Sequence, residues 1–202
     1  MFITRIPGIL ITYLLISFSI ASAAPPYEPD EQQLLTGKPF IYKLKAEEPH
    51  GRGYKLIYVV DAPLDIFWQF KTDFDNDFLV SNKRISIHRF IGRSGNVVIT
   101  ENKYTNISKA LFRWQITVIS DQHRLEFVLL NPQKSNHSYH YGYIQLESLG
   151  SKTKVTQVAH FDFFGDFWWV NYPFYGGMLD FLEYNAHWEQ KAIIEHKHRY
   201  RP

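Results

Sequence analysis

Cysteine is absent from all 202 residues. Its absence removes a disulfide framework, Cys-ligated zinc, a thiol nucleophile and the acylated cysteine of a lipoprotein. Charge of one dominant sign is lacking too, since 22 Lys+Arg stand against 20 Asp+Glu with both signs interspersed. A dedicated nucleic-acid binder meets phosphates with a basic stripe, so no nucleic-acid partner is expected. The sequence also has no Gly-x-Ser-x-Gly elbow and no phosphate-binding glycine loop. Aromatic residues, by contrast, are plentiful: 16 Phe, 13 Tyr and 5 Trp. A single domain of this length buries roughly two thirds of its unfolded surface, and these rings exceed what such a core requires. A cavity or a binding surface would use the excess.

Arg5 precedes an uncharged apolar run from Ile9 to Ile20, which is followed by the small residues Ala21-Ser22-Ala23-Ala24. Twelve residues rise about 18 Å as a helix, short of the roughly 30 Å hydrocarbon core. Residues 1–23 therefore read as a secretory signal cleaved after Ala23, with the mature chain periplasmic or secreted. Residues 24–53 contain Pro25, Pro26, Pro29, Pro39 and Pro49 and read as an extended lead-in without a core of its own. The ligand-binding domain is expected over residues 54–200, as a monomer.

Within that domain Tyr54 to Val60 is a strand candidate, and Asp61-Ala62-Pro63 ends it and opens a helix running to Lys71. Ile66, Phe67 and Phe70 share one stripe of that helix. Six further segments have strand composition: Arg84–Ile91, Val97–Tyr104, Phe112–Ser120, Leu125–Leu130, Tyr139–Glu147 and Lys154–Phe163. Turn residues such as Gly92 to Asn96 and Gly150-Ser151 join them, which predicts antiparallel hairpins and seven strands in all. Met178 to His198 lacks proline and glycine and carries an apolar face of Met178, Leu182, Ala186 and Ile193, flanked by Leu179 and Phe181. The fold class is α+β, with a curved antiparallel sheet whose concave face only this last helix is long enough to cover.

Val59-Val60-Asp61-Ala62-Pro63, then Ile66-Phe67-Trp68 and Thr72-Asp73-Phe74, resembles the opening of START-like (SRPBCC) domains. Arg124 to Leu130, Gly142 to Glu147 and Lys152 to Thr156 resemble its coenzyme-Q-binding and polyketide-cyclase-like branch. The resemblance spans Tyr54 to His198. It implies a helix-grip fold in which seven strands wrap the C-terminal helix around a cavity for a lipid, quinone, sterol or polyketide. Carriers, sensors, cyclases and hydrolases share that fold, so it leaves the chemistry open.

Strand alternation nominates the cavity wall. Phe112, Trp114, Ile116 and Val118 share one face, as do Leu125, Phe127 and Leu129, and as do Val155, Gln157, Ala159, Phe161 and Phe163. In the segment after Tyr139 the resemblance turns Gly142, Ile144 and Leu146 inward and leaves Tyr139, Tyr141 and Tyr143 as an outer ladder. The expected ligand contacts are Phe112, Trp114, Ile116, Phe127, Ile144, Gln157, Phe161, Leu179 and Leu182. Each has a plain alternative as ordinary core.

Phe163 to Tyr175 is the densest aromatic stretch, with Phe164, Phe167, Trp168, Trp169, Tyr172, Phe174 and Tyr175 around the lone charge Asp166. Rings with one polar edge favour the lipid headgroup zone, so the stretch is a candidate lid or transient membrane contact. Packing against the last helix is the competing reading. The basic tail Lys191, Lys197, Arg199 and Arg201 complements the helix dipole and would also favour anionic lipid.

Catalytic and metal constellations are weak. His137 and His140 are three apart, which on a regular strand places them on opposite faces. Asp73, Asp75 and Asp77 alternate like a calcium loop, but Phe78 replaces its glycine and Arg84 its final glutamate. Glu101, Arg113 and His160 are mid-strand polar residues expected on the solvated face. No catalytic residue, metal or redox cofactor is assigned. The expected function is an exported binder, and carrier, of a hydrophobic small molecule. The rivals are a cyclase or dehydratase, which needs a buried ionisable group on the cavity, and an interaction module whose cavity is filled.

Overall fold

The computed structural model describes residues 28–45, 50–105, 111–163 and 177–200. Eight strands form one antiparallel sheet: β1 Phe40–Leu44, β2 Arg52–Val60, β3 Ile85–Ser94, β4 Val97–Tyr104, β5 Leu111–Ile119, β6 Arg124–Leu129, β7 His137–Leu149 and β8 Lys152–Phe163. Among the described residues three α-helices accompany them, α1 Glu31–Leu35, α2 Leu64–Thr72 and α3 Gly177–His196. The strand order is β1-β2-β8-β7-β6-β5-β4-β3. Hairpins account for every neighbour pair except β2 with β8. There the first long strand lies against the last, and α2 with the 3-10 turn Phe78–Ser81 carries the chain across to the far edge at β3.

The eighth strand corrects the expected seven. Residues 24–53 are not merely an extended lead-in, because Phe40 to Leu44 pairs with Ile57 back to Gly53. The physical reason lies in β2, which is apolar on both faces. Leu56, Tyr58 and Val60 join the main core, while Ile57 and Val59 face the other way and are covered by Leu34 of α1 with Phe40 and Tyr42 of β1. A strand buried on both faces needs cover on both. The first turn of α1 is fixed by a capping box in which Asp30 and Gln33 bond each other's backbone.

Helix α2 begins one residue later than expected, with Pro63 at its N-cap rather than at its first helical position. Ile66, Phe67 and Phe70 are buried as its stripe predicts. Helix α3 buries Leu182, Ala186, Glu189, Ala192 and Ile193 against the sheet's concave face. It is held there partly by Gln190, whose amide donates to the carbonyls of Gly37 and Val59, both at 2.9 Å.

Gly142 sits where β7, β8 and the Phe127 ring converge. A Cβ there would lie 2.0 Å from the Val158 carbonyl oxygen and 2.8 Å from the Phe127 ring. Backbone cannot move aside cheaply in the middle of a sheet, so Gly142→Ala should destabilise the fold by roughly 1–3 kcal/mol. Urea unfolding followed by tryptophan fluorescence reads this directly. A wild-type midpoint for the variant would show that the strands have room to separate.

Candidate functional site

Between α3, α2 and the concave face lies a cavity of about 300 Å³. Eight of the nine expected contacts line it: Phe112, Trp114, Ile116, Phe127, Ile144, Gln157, Phe161 and Leu182. The exception is Leu179, which is 43% exposed. It follows Met178, a lining residue, and one step along a helix turns a side chain by about 100°, out of the stripe. The aromatic wall is built by contacts along β5 and across to β6. Trp114 meets Phe127 edge-on at 5.7 Å, and Phe112 stacks on Trp114 at 6.3 Å.

The outer face also follows the expected alternation. Tyr139 and Tyr141 lie 5.7 Å apart, His160 stacks on Tyr141 at 5.5 Å, and Arg124 covers the Tyr143 ring at 3.8 Å. Glu101 and Arg113 face each other across β4 and β5, joined at 2.5 Å, and neither lines the cavity. Arg113 is exposed as expected, whereas Glu101, 4% exposed, and His160, 7% exposed, are not in the solvated setting expected of them. Phe164, Phe167, Trp168, Trp169, Tyr172, Phe174 and Tyr175, and the signal sequence, lie outside the described residues.

The wall is more polar than strand alternation suggested. Glu189 of α3 accepts from the Tyr58 hydroxyl on one oxygen and from Lys71 Nζ of α2 at 2.5 Å on the other. All three side chains line the cavity. Burial, with the Glu189 charge beside it, pushes the Tyr58 hydroxyl well above its ordinary range, so it stays protonated and donates. Along the opposite side His88 uses its two ring nitrogens on Asn102 (2.7 Å) and the Phe74 carbonyl (2.8 Å). Asn82 donates to Asn185 at 2.9 Å, and Trp188 donates to Ser81 Oγ at 3.2 Å, tying α3 to the 3-10 turn. Asp73 accepts from the Tyr200 hydroxyl at 2.7 Å. One signal for this wall was present in the sequence: Glu189 falls three residues after Ala186 and seven after Leu182, inside the apolar stripe of α3.

His137 and His140 share a face, against the expectation from their spacing. The register slips between His137 and Tyr139, and a bulge of this kind adds one residue and rotates what precedes it. The two rings consequently stack at 5.3 Å. Nδ1 of His137 donates to the Ser135 carbonyl at 2.8 Å, while His140 lines the cavity between Trp114 (4.9 Å) and Phe161 (5.0 Å). Desolvation depresses both. His137 is lowered to about 4, and His140 is lowered well below the ordinary value of 6.5, with His137 adding to the effect.

No protein-family model matches the sequence, and no curated protein matches it. Solved structures do match in fold. Norcoclaurine synthase from Thalictrum flavum superposes with a TM-score of 0.56 at 13% identity, over 77% of this chain and 98% of that one. The Zhui aromatase/cyclase from Streptomyces sp. R1128 gives 0.50 at 13% identity, over 73% and 87%. A STAR-related lipid transfer protein fragment from Xanthomonas axonopodis gives 0.52 at 12% identity, over 74% and 93%. This chain has the START-like, helix-grip fold. The resemblance carried by Val59 to Phe74 and by Arg124 to Thr156 thus holds for the architecture, with one more strand than expected.

Two outcomes follow from the buried ionisable groups. Unfolded His137 takes its proton near pH 6.5 and folded His137 near pH 4, so between those values the unfolded chain binds more protons. Stability from this residue is present above pH 6.5 and drains as pH falls toward 4, by roughly 3 kcal/mol. Urea midpoints should fall over that window, and the His137 and His140 ring resonances should not titrate between pH 8 and 5 in NMR spectra. Ordinary titration of either ring near 6.5 would contradict their burial. Separately, Lys71→Met leaves the Glu189 carboxylate without its cation and should cost about 3–5 kcal/mol, whereas Lys71→Met with Glu189→Leu should regain most of it. A double-mutant cycle on urea stability checks both parts.

Proposed function

We propose that this protein binds a hydrophobic small molecule in the cavity beneath α3. The observation that carries the proposal is the cavity itself, about 300 Å³ walled by Phe112, Trp114, Phe127 and Phe161. That is room for on the order of ten waters and stands at the small end of ligand pockets. It suits a compact ring system or a single acyl chain. Apolar area moved from water onto such a wall contributes roughly 25 cal/mol per Å². Fold neighbours described as a lipid transfer protein and as an aromatase/cyclase support a hydrophobic ligand, and in this reading it comes from the lipid, quinone, sterol or polyketide classes.

In this reading the N-terminal signal exports the chain, and the protein carries its ligand through a periplasmic or extracellular compartment as a monomer. The aromatic stretch after Phe163 meets the membrane surface, where exchange takes place. No helix among the described residues is long and apolar enough to cross a membrane.

A second reading, an enzyme of the cyclase or dehydratase kind, is favoured by one observation. Lys71, Glu189, Tyr58 and His140 place ionisable groups on the cavity wall, the feature such chemistry requires. The interaction-module reading asks for an interior closed by the protein's own side chains, and the open volume counts against it.

Native mass spectrometry with organic extraction, on protein purified from an exporting host, tests the binding reading. A reproducible co-purifying lipid, quinone or similar apolar molecule is expected. Trp114→Arg or Phe161→Glu, in variants that keep the wild-type circular dichroism spectrum, should lose it. A clean apo mass with no uptake from offered lipids or quinones would sink the proposal.

A further inference from the structure

Several polar groups on the cavity wall are already bonded within the protein. Asn82 is bonded to Asn185, His88 to Asn102 and the Phe74 carbonyl, and Asp73 to Tyr200. His140 and the Tyr104 hydroxyl make no side-chain hydrogen bond among the described residues, and two further groups with open donors lie on a single patch. Lys71 has three N–H donors and spends one on Glu189, while its side chain keeps 14% exposure on the cavity. Gln157 makes no side-chain hydrogen bond among the described residues, and it is only partly buried although Val155, Thr156, Val158 and Ala159 around it are buried. Its open surface is therefore cavity surface.

The sheet register brings these two groups onto one patch. Tyr58 pairs with Val155 and Leu56 with Gln157, so Tyr58 and Gln157 are diagonal neighbours on the concave face, about 7–8 Å apart. Glu189 bridges Tyr58 to Lys71. Lysine and glutamine donors thus border the same stretch of wall, and the carboxylate that fixes the lysine has both oxygens occupied.

The charge balance narrows what these donors await. Lys71 is the one ammonium on the described wall, which also carries two carboxylates, Asp73 and Glu189. An anionic headgroup would enter a cavity whose fixed charge is already negative, beside a lysine that Glu189 neutralises. An amine would meet the Lys71 ammonium on this patch. A neutral oxygen acceptor meets neither objection, and it gives the remaining Lys71 donors and the Gln157 amide an acceptor.

We infer that the cavity recognises an apolar molecule through a neutral carbonyl oxygen, of the ketone or quinone kind, seated between Lys71 Nζ and the Gln157 amide. The inference rests on the binding reading above and specifies its ligand. Glu189 and Tyr58 are positioning residues in it, since they hold the lysine and do not touch the carbonyl.

A matched naphthalene series tests it by isothermal titration calorimetry on the purified protein: acetylnaphthalene, isopropylnaphthalene, naphthoate and naphthylmethylammonium. The ketone should bind about tenfold more tightly than its isopropyl isostere, the increment of one good hydrogen bond to a charged donor, and both charged probes should bind more weakly than the ketone. The ketone-to-isopropyl ratio should fall severalfold in Gln157→Leu, which leaves the ion pair intact. It should approach one in Lys71→Met/Glu189→Leu, which removes both charges together. Equal binding of ketone and isostere, preference for either charged probe, or a ratio that neither variant moves would overturn the carbonyl assignment while leaving hydrophobic binding in place. If none of the four probes binds the folded protein, the binding reading falls and takes this one with it.

Discussion

A single helix is too narrow to fill the hollow of an eight-stranded sheet. Strands spaced about 4.8 Å apart make a surface roughly 34 Å across, while a helix with its side chains is about 10–12 Å wide. Helix α3 lies along the concave face, α2 and the 3-10 turn Phe78–Ser81 cover more of it, and the part that none of them reaches is the cavity. Long aromatic side chains from β5, β6 and β8 reach into that space without closing it. The surplus of rings in the composition thus has a structural use, as the walls of a gap created by mismatched widths.

The depth of the gap depends on how far α3 stands from the sheet. Two adjacent residues set that height by polar contacts in different directions. Glu189 points inward to Tyr58 and Lys71, and Gln190 reaches the backbone carbonyls of Val59 and Gly37. A buried ion pair is seldom the most stable filling for such a position, because removing two charges from water offsets most of their attraction. Its location on the cavity wall, where a ligand can use the remaining donors of Lys71, gives the pair a role that packing alone does not supply. The stacked histidines at the other end of β7 add a second desolvated polar group beside the aromatic wall.

Much of this architecture was legible in the sequence. Alternation in Phe112 to Val118 and in Val155 to Phe163 sorted inner from outer residues correctly, because a strand's period of two admits no other arrangement. Where a local irregularity intervened, the same rule misled: the slip at His137 put two histidines on one face that regular spacing keeps apart. Strand β1 escaped notice because five residues just after Pro39 carry little periodic signal, and its evidence lay elsewhere, in the double-sided apolar run of β2. Leu179 was misplaced because a position at the margin of a helical stripe is decided by the neighbour it meets.

The sequence by itself determined the faces: which side of each strand and helix is apolar, where the chain turns, and that one long helix must cover one curved sheet. Those properties follow from short-range periodicity and turn chemistry, which every few residues express independently. Only the tertiary structure decided the polar wall. Glu189 meets Lys71 across 118 positions of sequence and Tyr58 across 131, and Gln157 joins them through the pairing of the first long strand with the last. Periodicity fixes the direction in which a side chain points, and the group it finds there depends on how the chain closes on itself.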